Sequence, residues 1–207
     1  METSAPLNGT ALGVPIAFSA GVLAGGRSIR MGADKSFLRV GNELLIERQL
    51  RCLRETGPKE LLISGRRGVD YSSLGADVIY DQHPDCGPLA GVAALLTASS
   101  CPIILILAVD TPAILPVMLN KIVSQCTANS GCVPIDENGF QPLAAAYPKT
   151  AHLLAQECLR NRELSVQAFV KQALAEGLVQ SLPIEPSERI YFVNWNRPSD
   201  WMMGGSG

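Results

Sequence analysis

The sequence predicts an α/β fold: a three-layer α/β/α sandwich around a mostly parallel central sheet, of the Rossmann-like kind. Three observations predict it. Short apolar bursts alternate with helical patterns from residue 16 to residue 200, as successive strand–helix units do. One burst, Pro102–Val109 (PIILILAV), is apolar almost without interruption, which suits a strand buried on both faces in the middle of a parallel sheet. Finally, 47% of the 207 residues are apolar and only 17% charged, which is ample for one large core and short for two domains.

Each element has its own reason. Residues 1–15 (METSAPLNGTALGVP) lack a basic start and a sustained apolar run, so they read as a disordered lead-in, not a signal peptide. Ile16–Ala24 reads as a buried strand running into a glycine pair. Leu44–Glu55 has apolar positions 44, 45, 46, 50 and 53, one face of a helix. Glu60–Ser64 and Val78–Tyr80 are short strands. Pro88–Ala98 is a helix of small residues with proline in its first turn, where the missing N–H does least harm. Pro116–Gln125 is a helix. Gly131–Pro134 and Leu143–Tyr147 are strands separated by the turn-rich Asp136–Gly139. Helices over Ala151–Arg160 and Ser165–Glu176 precede strands near Val179–Leu182 and Ile190–Val193. Residues 16–201 therefore form one domain with right-handed crossovers, and residues 202–207 a frayed tail.

Composition excludes several functions. Seventeen basic against nineteen acidic residues give −2, so nothing chain-wide favours nucleic acid. The longest apolar run, Ile103–Val109, is far short of the ~20 residues that span a bilayer. Only two histidines occur, His83 and His152, and the six cysteines (52, 86, 101, 126, 132 and 158) include no CxxC pair, which argues against structural zinc. The expectation is a cytoplasmic protein with neither nucleic acid nor membrane as partner.

Chemistry concentrates at three strand ends, where open parallel sheets bind ligands. The first is Leu23-Ala24-Gly25-Gly26 with Arg27, Arg30, Gly32 and Lys35 following. Glycines after a strand let backbone N–H groups approach a phosphate, and three basic side chains within ten positions favour that use over a plain surface turn. The second is Asp110-Thr111-Pro112 after the apolar strand. A carboxylate there can meet Mg²⁺ held on phosphates, or Asp110 can cap the following helix with Pro112 near its first position. The third is Asp81, followed by Gly87-Pro88-Leu89-Ala90-Gly91, where a helix of small residues permits close approach.

Together the segments resemble the nucleotidyltransferases that activate sugars and cofactors, and among them the molybdenum cofactor guanylyltransferases. LAGG, RMG and DK match Leu23–Gly26, Arg30–Gly32 and Asp34-Lys35. The aspartate before GPLAG matches Asp81 and Gly87–Gly91, and the D-x-P aspartate matches Asp110. The C-terminal NxNTPE matches Asn194-Trp195-Asn196-Arg197-Pro198-Ser199 with Arg197 for Thr and Ser199 for Glu. Ser64 stands where such proteins often carry Asn.

The resemblance implies GTP and molybdopterin (or the molybdenum cofactor) as substrates, Mg²⁺ as cofactor, and molybdoenzymes or cofactor-insertion proteins as partners. It implies that Leu23, Ala24 and Gly25 contact guanine and ribose through their backbone and Gly26 the phosphates. Lys35 and Arg30 would hold the triphosphate and act in catalysis. Asp81, with Ser64, would bind the nucleoside, and Asp110 the metal. Gly87, Pro88 and Gly91 would form the helix–loop beside the nucleotide. Gln141, Pro142, Asn194 and Asn196 would face the pterin. Three alternatives remain open: cytidylyl transfer to the same pterin, where LAAG replaces LAGG so that Gly25 discriminates; nucleotidyl transfer to a sugar or polyol phosphate; and a non-catalytic nucleotide-binding accessory protein.

Overall fold

The computed structural model describes residues 16–25, 35–83 and 85–195. The expected lead-in (1–15) and tail (202–207) lie outside them.

The strands follow the apolar bursts: β1 (Phe18–Leu23), β2 (Arg39–Val40), β3 (Glu43–Leu44), β4 (Glu60–Gly65), β5 (Asp77–Tyr80), β6 (Ile103–Ala108), β7 (Gly131–Asp136), β8 (Gly139–Phe140), β9 (Ala144–Pro148) and β10 (Val179–Pro183). The helices are α1 (Leu45–Arg54), α2 (Pro88–Ala98), α3 (Pro116–Ser124), α4 (His152–Arg160) and α5 (Val166–Ala175). The main sheet runs β10-β7-β9-β6-β1-β4-β5, with β8 paired to β7. The β5, β4, β1 and β6 strands are mutually parallel, and β10 is parallel to β7. Two strands reverse: β9 lies antiparallel to both β6 and β7, and the short β8 lies antiparallel to β7. The expected three-layer, mostly parallel architecture is therefore present.

Burial explains the strand sequences. In β6, Ile103, Leu105 and Leu107 join the core under α1 and α3, whereas Ile104 and Ile106 join the core under α2, α4 and α5. Both faces of β6 are covered, which is why its sequence shows no polar alternation.

Two readings are corrected. Ile190–Val193 is not a strand; Pro186–Phe192 forms a 3-10 helix. Pro186 sits in its first turn, and the Glu188 carboxylate accepts the Glu185 N–H at 3.0 Å, so the local chemistry favours a helical start. Asp110 is not a helix cap either, because α3 begins six residues later, at Pro116, behind Leu115. A small hairpin, β2–β3, had no strand expectation; its strands are two residues each, and Gly41 turns it at φ +61°.

At the amino-terminal ends of β1 and β4 a polar cluster closes on itself. Buried Ser19 donates to the Glu60 carboxylate and shares a 2.8 Å hydroxyl contact with buried Ser99. The Ser100 N–H also reaches Glu60, at 2.6 Å. A groove of about 480 Å³ beside it, lined by Lys59, Glu60, Ser72 and Asp77 among others, lies at the opposite end of the sheet from the glycine-rich turn.

Candidate active site

Strand register sets the site. Leu23 pairs with Ala108 on one side and Ser64 on the other, and Gly65 pairs with Tyr80. Gly25, Asp110 and Arg66 each stand two residues beyond those first pairings, and Asp81 one beyond Tyr80. Asp110, Gly25, Arg66 and Asp81 therefore fall at one level across the carboxyl ends of β6, β1, β4 and β5. Neighbouring strands are ~4.8 Å apart, so the row spans about 14 Å, the scale of a nucleotide.

The end of β1 is held by its neighbours. Ala24 and Gly25 both donate their N–H to the Ser64 carbonyl at 3.0 Å, and the Ser36 hydroxyl donates to the Ala24 carbonyl at 2.9 Å. Ser36 belongs to the 3-10 turn Lys35–Phe37, so this bond ties the backbone that carries Lys35 to the strand end. Leu23 is buried and its side chain packs downward, while Gly25 is exposed. A Cβ at Gly25 would sit 3.6 Å from the Ser64 carbonyl, an ordinary contact, so packing does not demand a glycine there.

The other segments divide by role. Ser64 is buried, and its carbonyl rather than its hydroxyl supports the Ala24–Gly25 turn. Gly91 faces inward: a Cβ there would meet Leu23 Cδ2 at 2.7 Å and Ser64 Oγ at 2.9 Å, so its smallness serves packing of α2 beneath the site. Gly87 and Pro88 are exposed at the start of α2, and Gly87 adopts φ +69° and ψ −163°, a conformation open essentially to glycine alone. Asp81 is half-buried, and its Oδ1 accepts the His83 N–H at 2.6 Å, fixing the carboxylate over its own turn.

Asp110 is half-buried after the central strand. Its carbonyl accepts the Trp195 N–H at 2.8 Å, which brings the exposed Asn194 to the same edge. The 141–143 turn arrives from the other side, because Ala108 donates to the Leu143 carbonyl at 2.7 Å. Within that turn Gln141 is half-buried, and Pro142 is buried with its carbonyl accepting the Tyr147 hydroxyl at 2.7 Å. Gly26, Arg30 and Asn196 lie outside the described residues, as does the side chain of Lys35.

Two arginines were not expected here. Arg48 of α1 donates its Nε to the Pro112 carbonyl at 2.6 Å and so braces the Asp110–Pro112 loop from behind. Arg66 belongs to the row itself. Neither lies in a recognisable motif; the strand-end position of Arg66, two residues after an apolar run, was the available signal.

Burial pushes the Cys126 thiol up to about 12, with Cys132 adding to the effect, and Cys132 itself to about 11. No group of three His, Cys, Asp or Glu among the described residues could hold a metal. One carboxylate, Asp110, still suits Mg²⁺, which completes its shell with phosphate oxygens and water. No helix among the described residues is long and apolar enough to cross a membrane.

A glycine turn flanked by two carboxylates at parallel strand ends is the arrangement of a nucleotide-handling α/β enzyme. Residues 20–177 match the MobA-like NTP transferase domain, and the chain belongs to that family of nucleotidyltransferases. It is 38% identical over 187 residues to a probable molybdenum cofactor guanylyltransferase of Opitutus terrae, covering 89% of this chain and 93% of that protein. It is 30% identical to the molybdenum cofactor guanylyltransferase of Xanthomonas euvesicatoria, over 87% of this chain and 90% of that one. The fold is similar to the crystal structure of molybdopterin-guanine dinucleotide biosynthesis protein A from Archaeoglobus fulgidus, with a TM-score of 0.69 at 23% identity, covering 89% and 95% of the two chains.

Proposed function

We propose that this chain transfers GMP from GTP to the terminal phosphate of molybdopterin, releasing pyrophosphate and forming the guanine dinucleotide form of the cofactor. The observation that carries the reading is Gly25 standing level with Asp110 in a chain with guanylyltransferase relatives over nearly its whole length. A phosphate oxygen of the pterin attacks the α-phosphorus of GTP. The new P–O bond forms as the bond to the β-phosphate bridge breaks, and the electron pair leaves with pyrophosphate.

The attacking phosphate is already anionic, so no general base is required, and the work is alignment and charge neutralisation. Ala24 and Gly25 offer backbone to the nucleoside, with Leu23 below them and Gly26 next to the phosphates. Lys35 and Arg30 neutralise the triphosphate, and Asp81 orients the nucleoside. Asp110 would hold Mg²⁺, which when bound supplies positive charge against the phosphate oxygens. Gln141, Pro142, Asn194 and Asn196 form the acceptor side. Gly25 favours guanylyl over cytidylyl transfer, because packing tolerates a methyl there and the open space is left to the ligand. Cytoplasmic residence belongs to the same proposal and is supported by six free thiols.

A nucleotide panel with molybdopterin as acceptor tests the reading. GTP should release pyrophosphate and bind more tightly than CTP or ATP. A mismatched buried base edge costs ~1–3 kcal/mol per unpaired group, roughly 5- to 150-fold in affinity. Equal affinity for GTP and CTP overturns the guanine assignment.

A further inference from the structure

We infer that Arg66 is a specificity-determining residue for the base, its guanidinium donating to O6 and N7 of guanine. The inference deepens the guanylyl-transfer reading and rests on it. Four observations carry it. Arg66 is the one cationic residue in the row Asp110, Gly25, Arg66, Asp81. Its stem lies along the glycine turn, with Cγ 3.8 Å from the position of a Cβ on Gly25. Its backbone is fixed, since Arg66 N–H donates to the Tyr71 hydroxyl at 3.2 Å, and Tyr71 is buried against Gly65 and in tilted ring contact with Phe37. The next residue, Arg67, turns elsewhere, with its guanidinium 5.3 Å from the centre of the Tyr80 ring.

Position separates a base contact from a phosphate contact. Asp110, which would hold the metal and so mark the phosphate end, follows β6; Arg66 follows β4, two strands and about 10 Å away. That separation suits the base end of the nucleotide. Guanine alone presents two adjacent acceptors, O6 and N7, to a planar fork of donors. Adenine replaces O6 by an amino donor, and cytosine presents an amino donor on the corresponding edge, so each would face the guanidinium with a mismatched hydrogen.

Calorimetric titration of the intact chain with Mg²⁺ and GTP, ATP or 7-deaza-GTP tests this, comparing the parent with Arg66→Met and Arg66→Lys. The parent should bind GTP more tightly than ATP and more tightly than 7-deaza-GTP, which lacks the N7 acceptor. Arg66→Met should weaken GTP by roughly 5- to 150-fold, the worth of one bidentate arginine–guanine pair, and leave ATP nearly unchanged. Arg66→Lys, which keeps the charge and loses the fork, should recover only part of the GTP preference. An equal fall for GTP and ATP would make Arg66 a phosphate contact and overturn the inference. So would 7-deaza-GTP binding the parent as tightly as GTP, a result that needs no variant to fold. A GTP preference that survives in Arg66→Met removes the inference alone; a parent with no preference for GTP removes the guanylyl reading with it.

Discussion

The two ends of the same strands use polar residues in opposite ways. At the amino ends of β1 and β4, Ser19, Ser99 and the Ser100 N–H all turn upon Glu60, and the cluster satisfies itself. At the carboxyl ends, Asp110, Asp81 and Arg66 are half-buried around an exposed glycine, and the N–H groups of Ala24 and Gly25 hold the turn open instead of filling it. One end contributes to stability. The other gathers charged side chains around the end of β1, and it is there that the resemblance puts the reaction.

That contrast breaks most sharply at the open end. Asp110→Asn should abolish turnover in a chain that still folds, because the aspartate caps no helix and its tie to Trp195 runs through the backbone. Lys35→Ala should lower kcat by about 10²–10³, the usual loss when one charge is taken from a preorganised site, while KM for GTP rises less. Lys35→Arg should restore only part of that rate, since the guanidinium is not a point charge. Steady-state kinetics beside thermal melts check all three; a kcat within threefold of the parent for either Asp110→Asn or Lys35→Ala removes that residue from the mechanism.

Gly91 lies between the two regimes, since it packs α2 against the side chains whose backbones support the turn. Gly91→Ala should destabilise by ~1–3 kcal/mol through overpacking, partly offset by the better helix propensity of alanine. It should also raise KM for GTP, because Leu23 and Ser64 must move. Urea unfolding and kinetics read the two effects separately, and an unchanged urea midpoint would mean that both side chains rotate away freely.

The smallest effect belongs to the closed end. Burial pushes the Glu60 carboxyl up, but the Ser19 hydroxyl, the Ser100 N–H and Lys149 outweigh it and hold the group below its ordinary value. A depressed carboxyl stabilises the fold above the unfolded-chain pKa and loses that contribution as pH falls through the folded one. Glu60→Gln should therefore flatten the loss of stability below about pH 4 and leave activity at neutral pH intact. An acid limb identical to the parent's would place the acid sensitivity elsewhere.

Periodicity carried the fold because burial on one or two faces leaves a direct imprint on composition, as in β6 and α1. It failed at Ile190–Val193, where Ile190 is 63% exposed while the consecutive Tyr191 and Phe192 pack against the core, so the apolar letters there did not report a strand. The β2–β3 hairpin is too short to leave a pattern. Within the site, glycines and aspartates at strand ends were readable one segment at a time. Arg48 was not, since its partner Pro112 is 64 residues away and only the packing of α1 brings them together. Arg66 needed the register of three neighbouring strands before its place beside Gly25 had meaning.

The bond from Trp195 N–H to the Asp110 carbonyl joins main chain to main chain. Such a clasp is indifferent to spelling: it holds whichever side chains stand at either position, provided neither is a proline in the donor's place. The segment proposed to line the acceptor side can therefore drift in sequence, including toward different acceptors, without loosening its hold on the strand that carries the aspartate.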